Sequence, residues 1–442
     1  MRKREYTLKV FLLEVIFPGE LMRIISPIEV TLSEQSVVDR TAPNGLEFEF
    51  AEGAKRLATP WQTAVMRARI LRHCNLPEGV ILDPACGSAI QLAAHSAILN
   101  RPALGIELDE ETAVCAARNI KRVFDFRSET STDSRIVVAD SRNSESILEL
   151  LGDLLKNSGG ISLLQLDPAR PHNSQEHGLD EMRPRLDEVF EAWSSHLNFT
   201  DKGPAILLDL SPRLSHNQRF EVENLINLEF NCSKTWTFTS RGGGRIDRLS
   251  VWIGAASSTA HRRYIRLPSD VNAEPIIIEG GGPLDRLEQP PELKLVPPRR
   301  GGYISIIDSA LVESGLAIDW LESVLGCEFN WLNTSGRRPS IFHLDAMELQ
   351  ESQDKDIIQA HGKIALIFTA DHLSNQLDEI VEQGADYGFS RVVIRCEVNP
   401  NDQPKLQGEL DRRLASRGTG LTGFLFRHPL DKRILICEDT ML

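Results

Sequence analysis

Acidic residues recur along the first half of the chain, each at or just after the end of a short apolar run. They are Asp83, Glu107, Asp140, Asp167 and Asp209. The runs are typical of buried strands, and the carboxyl ends of parallel strands meet at one edge of a sheet. Carboxylates that converge there lose hydration and repel one another unless a ligand or hydrogen-bond donors compensate them. The pattern therefore predicts one binding or catalytic crevice lined by these acids.

The first of these acids opens a tight turn, DPACGSA at residues 83–89, between a strand and a helix. The glycine of this turn lets the backbone come close to a ligand, and the N-terminus of the following helix attracts negative charge. Glu107 ends the next strand, where its carboxylate can accept hydrogen bonds from both hydroxyls of a ribose. The turn has a single glycine, unlike the G-x-G-x-x-G of dinucleotide-binding folds.

A turn after a later strand has residues suited to catalysis. Asp167-Pro168-Ala169-Arg170 follows the apolar run ISLLQL. This turn resembles motif IV of amino-directed nucleic-acid methyltransferases, in which an aromatic residue follows Asp-Pro-Pro. In that motif the carboxylate and the proline carbonyl accept hydrogen bonds from the target amine and orient its lone pair, so the resemblance implies this role for Asp167 and Pro168. The guanidinium plane of Arg170 can stack on a base or pair with phosphate. No cysteine comes directly after this turn, so we expect no covalent nucleophile. No Cys/His spacing fits a metal, so we expect no metal either.

The elements that position these residues alternate between strand and helix from residue 80 to residue 256. Short apolar runs predict five strands, and apolar residues spaced at i, i+3/4 and i+7/8 predict the helices between them. Two further strands, Thr235–Thr239 and Leu249–Ile253, flank a glycine-rich turn at residues 242–244. This alternation predicts an α/β fold with a parallel, Rossmann-like sheet.

Taken together, these motifs resemble those of one enzyme family. DPACGSA looks like motif I of class I S-adenosylmethionine (SAM)-dependent methyltransferases. DPAR, LSP at residues 210–212, the glycine-bearing hairpin Ser240–Trp252 and the segment Tyr303–Leu316 resemble the THUMP-like members of that class. The resemblance implies a seven-stranded class I methyltransferase core, followed by an α+β part that is ferredoxin-like and then THUMP-like. Two residues depart from the family pattern, because Ala89 replaces a glycine and Pro171 replaces a second arginine.

The resemblance also implies SAM as the cofactor and a role for several residues. Glu107 would hold the ribose, Asp140 the adenine amino group, and Asp83 would shape the methionine end of the pocket. The residues expected to bind the cofactor are Asp83, Pro84, Cys86, Gly87, Ser88, Glu107 and Asp140. The residues expected to be catalytic are Asp167, Pro168 and Arg170.

Composition suggests how the chain is divided. Residues 267–298 are rich in proline and glycine, which is typical of a partly extended, semi-rigid spacer. We therefore expect five regions: an N-terminal α+β segment (1–76), the methyltransferase domain (77–256), a linker (257–298), a ferredoxin-like segment (299–352) and a THUMP-like domain (353–442).

The charge distribution bears on the substrate. The net charge is −14, so binding to a polyanion requires local basic patches. Clusters of arginines occur at residues 241–248, 262–266, 299–300, 337–338 and 412–417, and we expect Arg241 and Arg245, on the hairpin turn, to bind the substrate. Because true THUMP domains dock RNA, the resemblance implies a structured RNA substrate, with tRNA favoured and a base nitrogen as the target.

Two alternatives stay open. Methylation of a protein or a small molecule is favoured by the acidity of the chain and by Arg170, which stands where many amino-directed nucleic-acid methyltransferases have an aromatic residue. A non-catalytic protein that binds SAM or RNA is favoured by Ala89, which replaces a family glycine, and by Ala169, which stands where many amino-directed nucleic-acid methyltransferases have a second proline. SAM binding without transfer to RNA would point to one of these alternatives.

The cysteines and the apolar runs indicate a location. Seven cysteines are scattered without paired spacing, which is typical of a protein from a reducing cytoplasm. No apolar run reaches the ~18 residues that a membrane span needs. We expect a soluble, cytoplasmic protein with no membrane partner.

Overall fold

The computed structural model describes residues 12–17, 20–43, 45–56, 58–128, 133–170, 178–270, 272–284, 291–294, 296–347, 349, 352–369 and 373–441. In this part of the chain the strands form a 12-stranded sheet, a seven-stranded sheet and a two-stranded sheet. No helix in these ranges is long and apolar enough to cross a membrane.

The secondary-structure elements are numbered in chain order. The strands are β1 (Leu12–Phe17), β2 (Glu20–Ile25), β3 (Val37–Val38), β4 (Glu47–Phe48), β5 (Val80–Asp83), β6 (Ala103–Glu107), β7 (Arg135–Val138), β8 (Ile161–Leu166), β9 (Phe199–Thr200), β10 (Gly203–Leu210), β11 (Lys234–Ser240), β12 (Ile246–Gly254), β13 (Arg262–Arg266), β14 (Ile276–Gly280), β15 (Tyr303–Ile307), β16 (Phe329–Asn333), β17 (Ser340–His343), β18 (Ile358–Phe368), β19 (Phe389–Ile394), β20 (Leu421–Arg427) and β21 (Ile434–Asp439). The helices are α1 (Trp61–Arg72), α2 (Ile90–Leu99), α3 (Glu110–Arg127), α4 (Ser144–Leu150), α5 (Gly152–Ser158), α6 (Leu186–Trp193), α7 (His216–Glu229), α8 (Ser309–Glu313), α9 (Ala317–Val324), α10 (Ser352–Ile357), α11 (Leu377–Tyr387) and α12 (Gln403–Ala415).

The middle of the 12-stranded sheet is the predicted parallel core. Strands β7, β6, β5, β8 and β10 lie side by side in that order and run parallel. Strand β12 pairs antiparallel with β10, and β11 pairs antiparallel with β12. This is the seven-strand arrangement expected of a class I methyltransferase core, so the predicted Rossmann-like fold is confirmed. The strand order reverses at β5, and ligands of such sheets bind at the carboxyl ends of the strands beside that point.

Both edges of this sheet extend beyond the predicted methyltransferase domain. On one side β2 pairs with β7, and β1 pairs with β2, so residues 12–25 belong to the sheet and not to a separate N-terminal segment. On the other side β13 pairs with β11, and β14 pairs with β13. The predicted linker is therefore wrong between residues 262 and 280. Main-chain hydrogen bonds hold this stretch in the sheet, and the proline clusters lie outside its two strands.

The seven-stranded sheet unites the two C-terminal parts that were predicted as separate. Its order is β16-β17-β15-β18-β21-β20-β19, and β15 pairs antiparallel with β18 across the predicted boundary at residue 352. One face packs against α11 and α12 through Ile380 and Leu410, and the other carries an apolar cluster that includes Phe342 and Phe424. This part is α+β, as predicted, but backbone pairing makes it one unit. Its likeness to THUMP domains stays a prediction.

One apolar core joins the two large sheets. Trp236 of β11 lies in the same buried cluster as Leu311 of α8 and Trp320 of α9. The Ser240 hydroxyl donates to the buried Asp308 carboxylate at 2.6 Å across this contact. The two parts of the chain therefore share a continuous interior.

Candidate functional site

The five predicted acids lie at one edge of the 12-stranded sheet. Asp83 and Glu107 end β5 and β6, Asp140 and Asp167 follow β7 and β8, and Asp209 lies near the end of β10. Asp83 and Asp209 are buried, and the other three are partly exposed. The described residues contain no group of three or more His, Cys, Asp or Glu side chains that could hold a metal ion. The structure therefore has all five acids at the same edge of the sheet, as the strand directions predicted.

The turn after β5 is hydrogen-bonded to the side chain of Glu107. Gly87 has a left-handed backbone (φ +51°), which favours glycine, and its N–H donates to Glu107 Oε2 at 3.0 Å. Glu107 Oε1 accepts from the N–H of Asp109 at 3.0 Å. Burial raises the pKa of Glu107, and these two donors oppose the shift. Each oxygen of this carboxylate is therefore oriented by one backbone N–H.

The other predicted residues of the turn are packed rather than reactive. Pro84 and Cys86 are buried, whereas Ser88 is partly exposed and its carbonyl accepts from Asn119 Nδ2 at 2.9 Å. Burial raises the pKa of the Cys86 thiol well above its usual range, so the thiol stays protonated. Their cofactor-binding role stays a prediction, and a buried, protonated thiol such as that of Cys86 is a weak nucleophile.

A buried hydrogen-bond chain holds Asp83 in place. Gln165 donates from Nε2 to Asp83 Oδ2 at 2.6 Å, and Gln165 Oε1 lies 2.6 Å from His95 Nδ1. Burial lowers the pKa of His95 to about 3, so the neutral ring donates from Nδ1 to this oxygen. Burial also raises the pKa of Asp83 to about 7, against the hydrogen bond from Gln165. Sequence reasoning missed Gln165 and His95, although a glutamine inside the otherwise mostly apolar run ISLLQL is a usable signal.

Replacing Ala89 with glycine is expected to raise the free energy of unfolding by about 1 kcal/mol. Ala89 precedes α2 with φ +54°, in the left-handed region where an L side chain is strained, and it is 2% exposed. Urea unfolding measures the gain. Ala93→Gly, inside the same helix, is the matched control and should lose stability because glycine disfavours an ordinary helical backbone. An Ala89→Gly variant as stable as the natural protein would show that this backbone is not strained.

Asp140, the residue predicted to bind adenine, is already engaged by a cation. Arg142 donates from Nε to Asp140 Oδ1 at 3.0 Å and from Nη2 to Asp140 Oδ2 at 2.6 Å. The hydrogen bonds from Arg142 hold the pKa of Asp140 below its usual value. Asp140 is therefore ionised at neutral pH, and a ligand amino group would share its carboxylate with Arg142.

Asp167, the predicted catalytic carboxylate, has no hydrogen-bond partner within the described residues. Burial and the nearby Asp209 raise the pKa of Asp167, and three guanidinium groups oppose them: those of Arg248, Arg67 and Arg170. Pro168 is buried, and the next residue, Ala169, exchanges two backbone hydrogen bonds with Arg183, at 3.0 and 2.9 Å. Pro171 lies outside the described residues. The backbone after Asp167 is therefore fixed while its carboxyl group stays available.

Asp209, the acid near Asp167, forms a buried ion pair. Arg67 of α1 donates from Nη1 to Asp209 Oδ2 at 2.7 Å and from Nη2 to Asp209 Oδ1 at 2.5 Å. Gln91 joins this pair, accepting from Arg67 at 2.6 Å and donating to Asp209 at 3.3 Å. Sequence reasoning missed Arg67. It lies on the same helix face as the buried Ala64 and Leu71, and a single arginine on an apolar face signals a buried partner.

Two further arginines have buried donors without partners near Asp167. Within the described residues, Nε and Nη2 of Arg170 and Nε of Arg248 make no hydrogen bond. An unsatisfied buried donor costs about 1–3 kcal/mol, and these N–H groups have the capacity for a further acceptor. Arg170 was predicted at this position. Arg248 was not, because it reaches the crevice only through the pairing of β12 with β10.

Arg241 and Arg245, the predicted substrate-binding residues, are exposed on the turn between β11 and β12. In the described part of the chain neither forms an ion pair with the five acids. Gly244 of the same turn lies against the carbonyl of Arg337, which belongs to the loop between β16 and β17. The turn therefore lies where the two large sheets meet.

The strand order and the acid-lined edge define a class I methyltransferase-like fold. No protein-family model matches the sequence, and no curated protein matches it. Among solved structures, the chain is similar to a ribosomal protein L11 methylase from Lactobacillus delbrueckii subsp. bulgaricus, with 14% identity, 44% of this chain and 79% of the other covered, and a TM-score of 0.27. It is also similar to a methyltransferase from Pyrococcus furiosus (17% identity, 49% and 92% covered, TM-score 0.30) and to the rRNA methyltransferase aviRa from Streptomyces viridochromogenes (15% identity, 49% and 92% covered, TM-score 0.30). At TM-scores this low the similarities indicate no ligand or substrate, and the fold is defined by the strand order.

Proposed function

We propose that the protein is a SAM-dependent methyltransferase acting on structured RNA, with tRNA favoured and a base nitrogen as the target. One observation carries the proposal: Glu107, oriented by Gly87, and the unbonded Asp167 lie at the same edge of a sheet with the class I strand order, both within electrostatic range of Asp83. A fold alone does not imply a function, so the proposal depends on these side chains.

The crevice suits a cationic nucleoside cofactor such as SAM, which has an ammonium and a sulfonium group. Burial raises the pKa of Asp83, Glu107 and Asp167, and a cation among these carboxylates would stabilise their ionised forms. Glu107 would bind the ribose hydroxyls, and Asp83 would face the ammonium of the methionine part. Asp140 would accept from the adenine amino group beside Arg142.

The main contribution of the protein to the reaction would be to orient the target amine. When bound, SAM supplies a methyl group activated by its sulfonium. The Asp167 carboxylate and the Pro168 carbonyl accept hydrogen bonds from the target amine and hold its lone pair toward the cofactor side of the crevice. The unpaired donors of Arg170 and Arg248 would bind acceptor atoms of the nucleotide being modified. The bidentate pair of Asp209 with Arg67 holds both charged groups in fixed positions beside Asp167.

Binding of SAM is expected to tighten as the pH rises toward 7 and then to level off. Because burial raises the pKa of Asp83 to about 7, the cofactor cation meets a neutral carboxyl group below that pH, and binding must expel its proton. The Kd should fall about ten-fold per pH unit in this range. Calorimetry in two buffers of different ionisation enthalpy counts the released proton.

Asp83→Asn is the control for this pH dependence. Its amide is neutral at every pH and can still accept from Gln165, so the variant should bind SAM more weakly and with a flat pH profile. A profile that the substitution leaves unchanged would show that another group titrates.

The test of the proposed function is transfer of tritiated methyl groups from SAM to total RNA stripped of its modifications. Label that enters RNA, and that Asp167→Ala abolishes, would support the reaction and the catalytic residue together. Label that enters proteins or small molecules but not RNA would support a methyltransferase of another substrate class. SAM binding with no transfer to any fraction would support a non-catalytic binding protein.

We also propose a cytoplasmic location. All seven cysteines are free in the structure. Free thiols persist in a reducing compartment, whereas oxidising compartments favour disulfides.

A further inference from the structure

Five arginines lie on three separate stretches of chain near the contact between the two large sheets, and we call them the junction arginines. They are Arg241, Arg245, Arg337, Arg338 and Arg395. Two lie on the turn between β11 and β12, two on the loop between β16 and β17, and one directly after β19. The first three are exposed, and the last two are partly buried.

The turn and the loop touch through their backbones. Gly244 has φ +72°, and a Cβ at this position would lie 2.0 Å from the carbonyl oxygen of Arg337, so the contact requires glycine. Gln359 of β18 fixes the same carbonyl, donating to it from Nε2 at 3.0 Å and to the carbonyl of Ile307 at 2.8 Å. Main-chain contacts therefore hold Arg245 and Arg337 next to each other.

Arg338 extends the cluster to the end of β19. Burial lowers the pKa of Arg395, the guanidinium of Arg338 lowers it further, and the carboxylate of Asp439 opposes both. Arg338 therefore lies within electrostatic range of Arg395. Two like charges this close repel each other, and an anion bound between them would relieve the repulsion.

Asp439 partly offsets the charge of Arg395, but no ion pair with a described residue neutralises the junction arginines. In the described part of the chain none of their guanidinium groups forms an ion pair or a hydrogen bond. Some other arginines do have carboxylate partners, as the exposed Arg142 has in Asp140 and the partly exposed Arg433 has in Asp431. In a chain of net charge −14, five such groups together make a local positive field of opposite sign to the whole.

We propose that the junction arginines bind the phosphate backbone of the RNA substrate, so that the RNA contacts both sheets at once. The inference rests on the proposed function and adds the surface that holds the RNA. Guanidinium groups bind phosphate oxygens in pairs, which matches the paired arginines of the turn and the loop. Arg248, three residues after Arg245, has an unpaired donor beside Asp167 and links this surface to the crevice.

The test measures the affinity of full-length protein for unmodified tRNA transcripts across a series of salt concentrations. Each lost phosphate contact should reduce the slope of log K against log salt by about 1. Two double variants, Arg241→Ala with Arg245→Ala and Arg337→Ala with Arg338→Ala, should therefore each flatten the slope by about 2. The corresponding double lysine variants should keep it, since the charge remains.

The matched control is Arg412→Ala with Arg417→Ala. Both arginines are exposed, Arg412 in the last turn of α12 and Arg417 just after the helix. Replacing both removes the same charge from the protein as each junction double variant does. Their loss should leave the slope nearly unchanged. Melting temperatures equal to that of the natural protein would show that every variant is folded.

The outcomes separate this inference from the proposed function. A slope that falls only in the alanine variants of the junction arginines supports the surface, even if no methyl group is transferred. An equal fall in the control pair, or tight binding with an unchanged slope, overturns the surface while methyl transfer to RNA can still stand. A natural protein that binds no tRNA transcript at low salt also overturns it.

Discussion

Replacing Asp167 with alanine is expected to slow methyl transfer to RNA by about 10²–10⁴-fold, with little change in the affinity for SAM. Alanine cannot accept a hydrogen bond from the target amine, so the lone pair is no longer oriented. The Asp167 side chain makes no hydrogen bond within the described residues, and its removal should leave the fold intact. Single-turnover transfer and SAM titration on the same preparation separate chemistry from binding.

Asp167→Asn is the matched comparison for this prediction. The amide oxygen can accept the same hydrogen bond, so this variant should keep part of the activity that alanine loses. Transfer by Asp167→Ala at the rate of the natural protein would exclude Asp167 from catalysis.

Replacing Arg67 with alanine is expected to lower the free energy of unfolding by about 3–5 kcal/mol. The change leaves the Asp209 side chain, which is 2% exposed, as a buried charge whose remaining donor is Gln91 at 3.3 Å. Helix α1 also loses its bidentate attachment to β10. A shift of the urea midpoint measures the loss.

Arg69→Ala on the same helix controls for the loss of a positive charge. Arg69 lies 3.8 Å from Glu274, and the two side chains are 47% and 80% exposed. Such exposed pairs contribute about 0–1 kcal/mol, so the change should be small. The double variant Arg67→Met with Asp209→Leu should recover most of the stability, because it removes both buried charges. Equal losses in Arg67→Ala and Arg69→Ala would refute the role given to the buried pair.

The parallel core could be predicted from the sequence because its strands are short apolar runs with polar residues at their ends. Runs such as ISLLQL are apolar on both faces, which is typical of parallel strands covered by helices. The position of the acids follows from the same geometry, since chain direction alone brings the ends of β5, β6 and β8 to one edge. Asp83, Glu107 and Asp167 were predictable for this reason.

Strand β13 could not be predicted in the same way. It begins with Arg262 and Arg263, which resemble surface residues yet are 7% and 4% exposed. Arg262 donates to the carbonyl of Gly282 at 3.1 Å, whereas Arg263 pairs with Glu279 at 2.6 Å and lies over the ring of Trp252. These partners come from other strands and loops. Local periodicity does not identify such partners. For Arg67 the helical periodicity indicates a buried partner, but it does not identify that partner as Asp209.

The core shared by the two sheets, in which Trp236 packs with Leu311 and Trp320, ties the junction arginines and Asp167 into one body. An RNA gripped at the junction would present to Asp167 only the nucleotide that lies at a set contour length from the gripped phosphates. The protein would then select the target nucleotide by its distance from the RNA phosphates that are bound at the junction arginines. Two RNAs of unrelated sequence but equal geometry would be methylated alike.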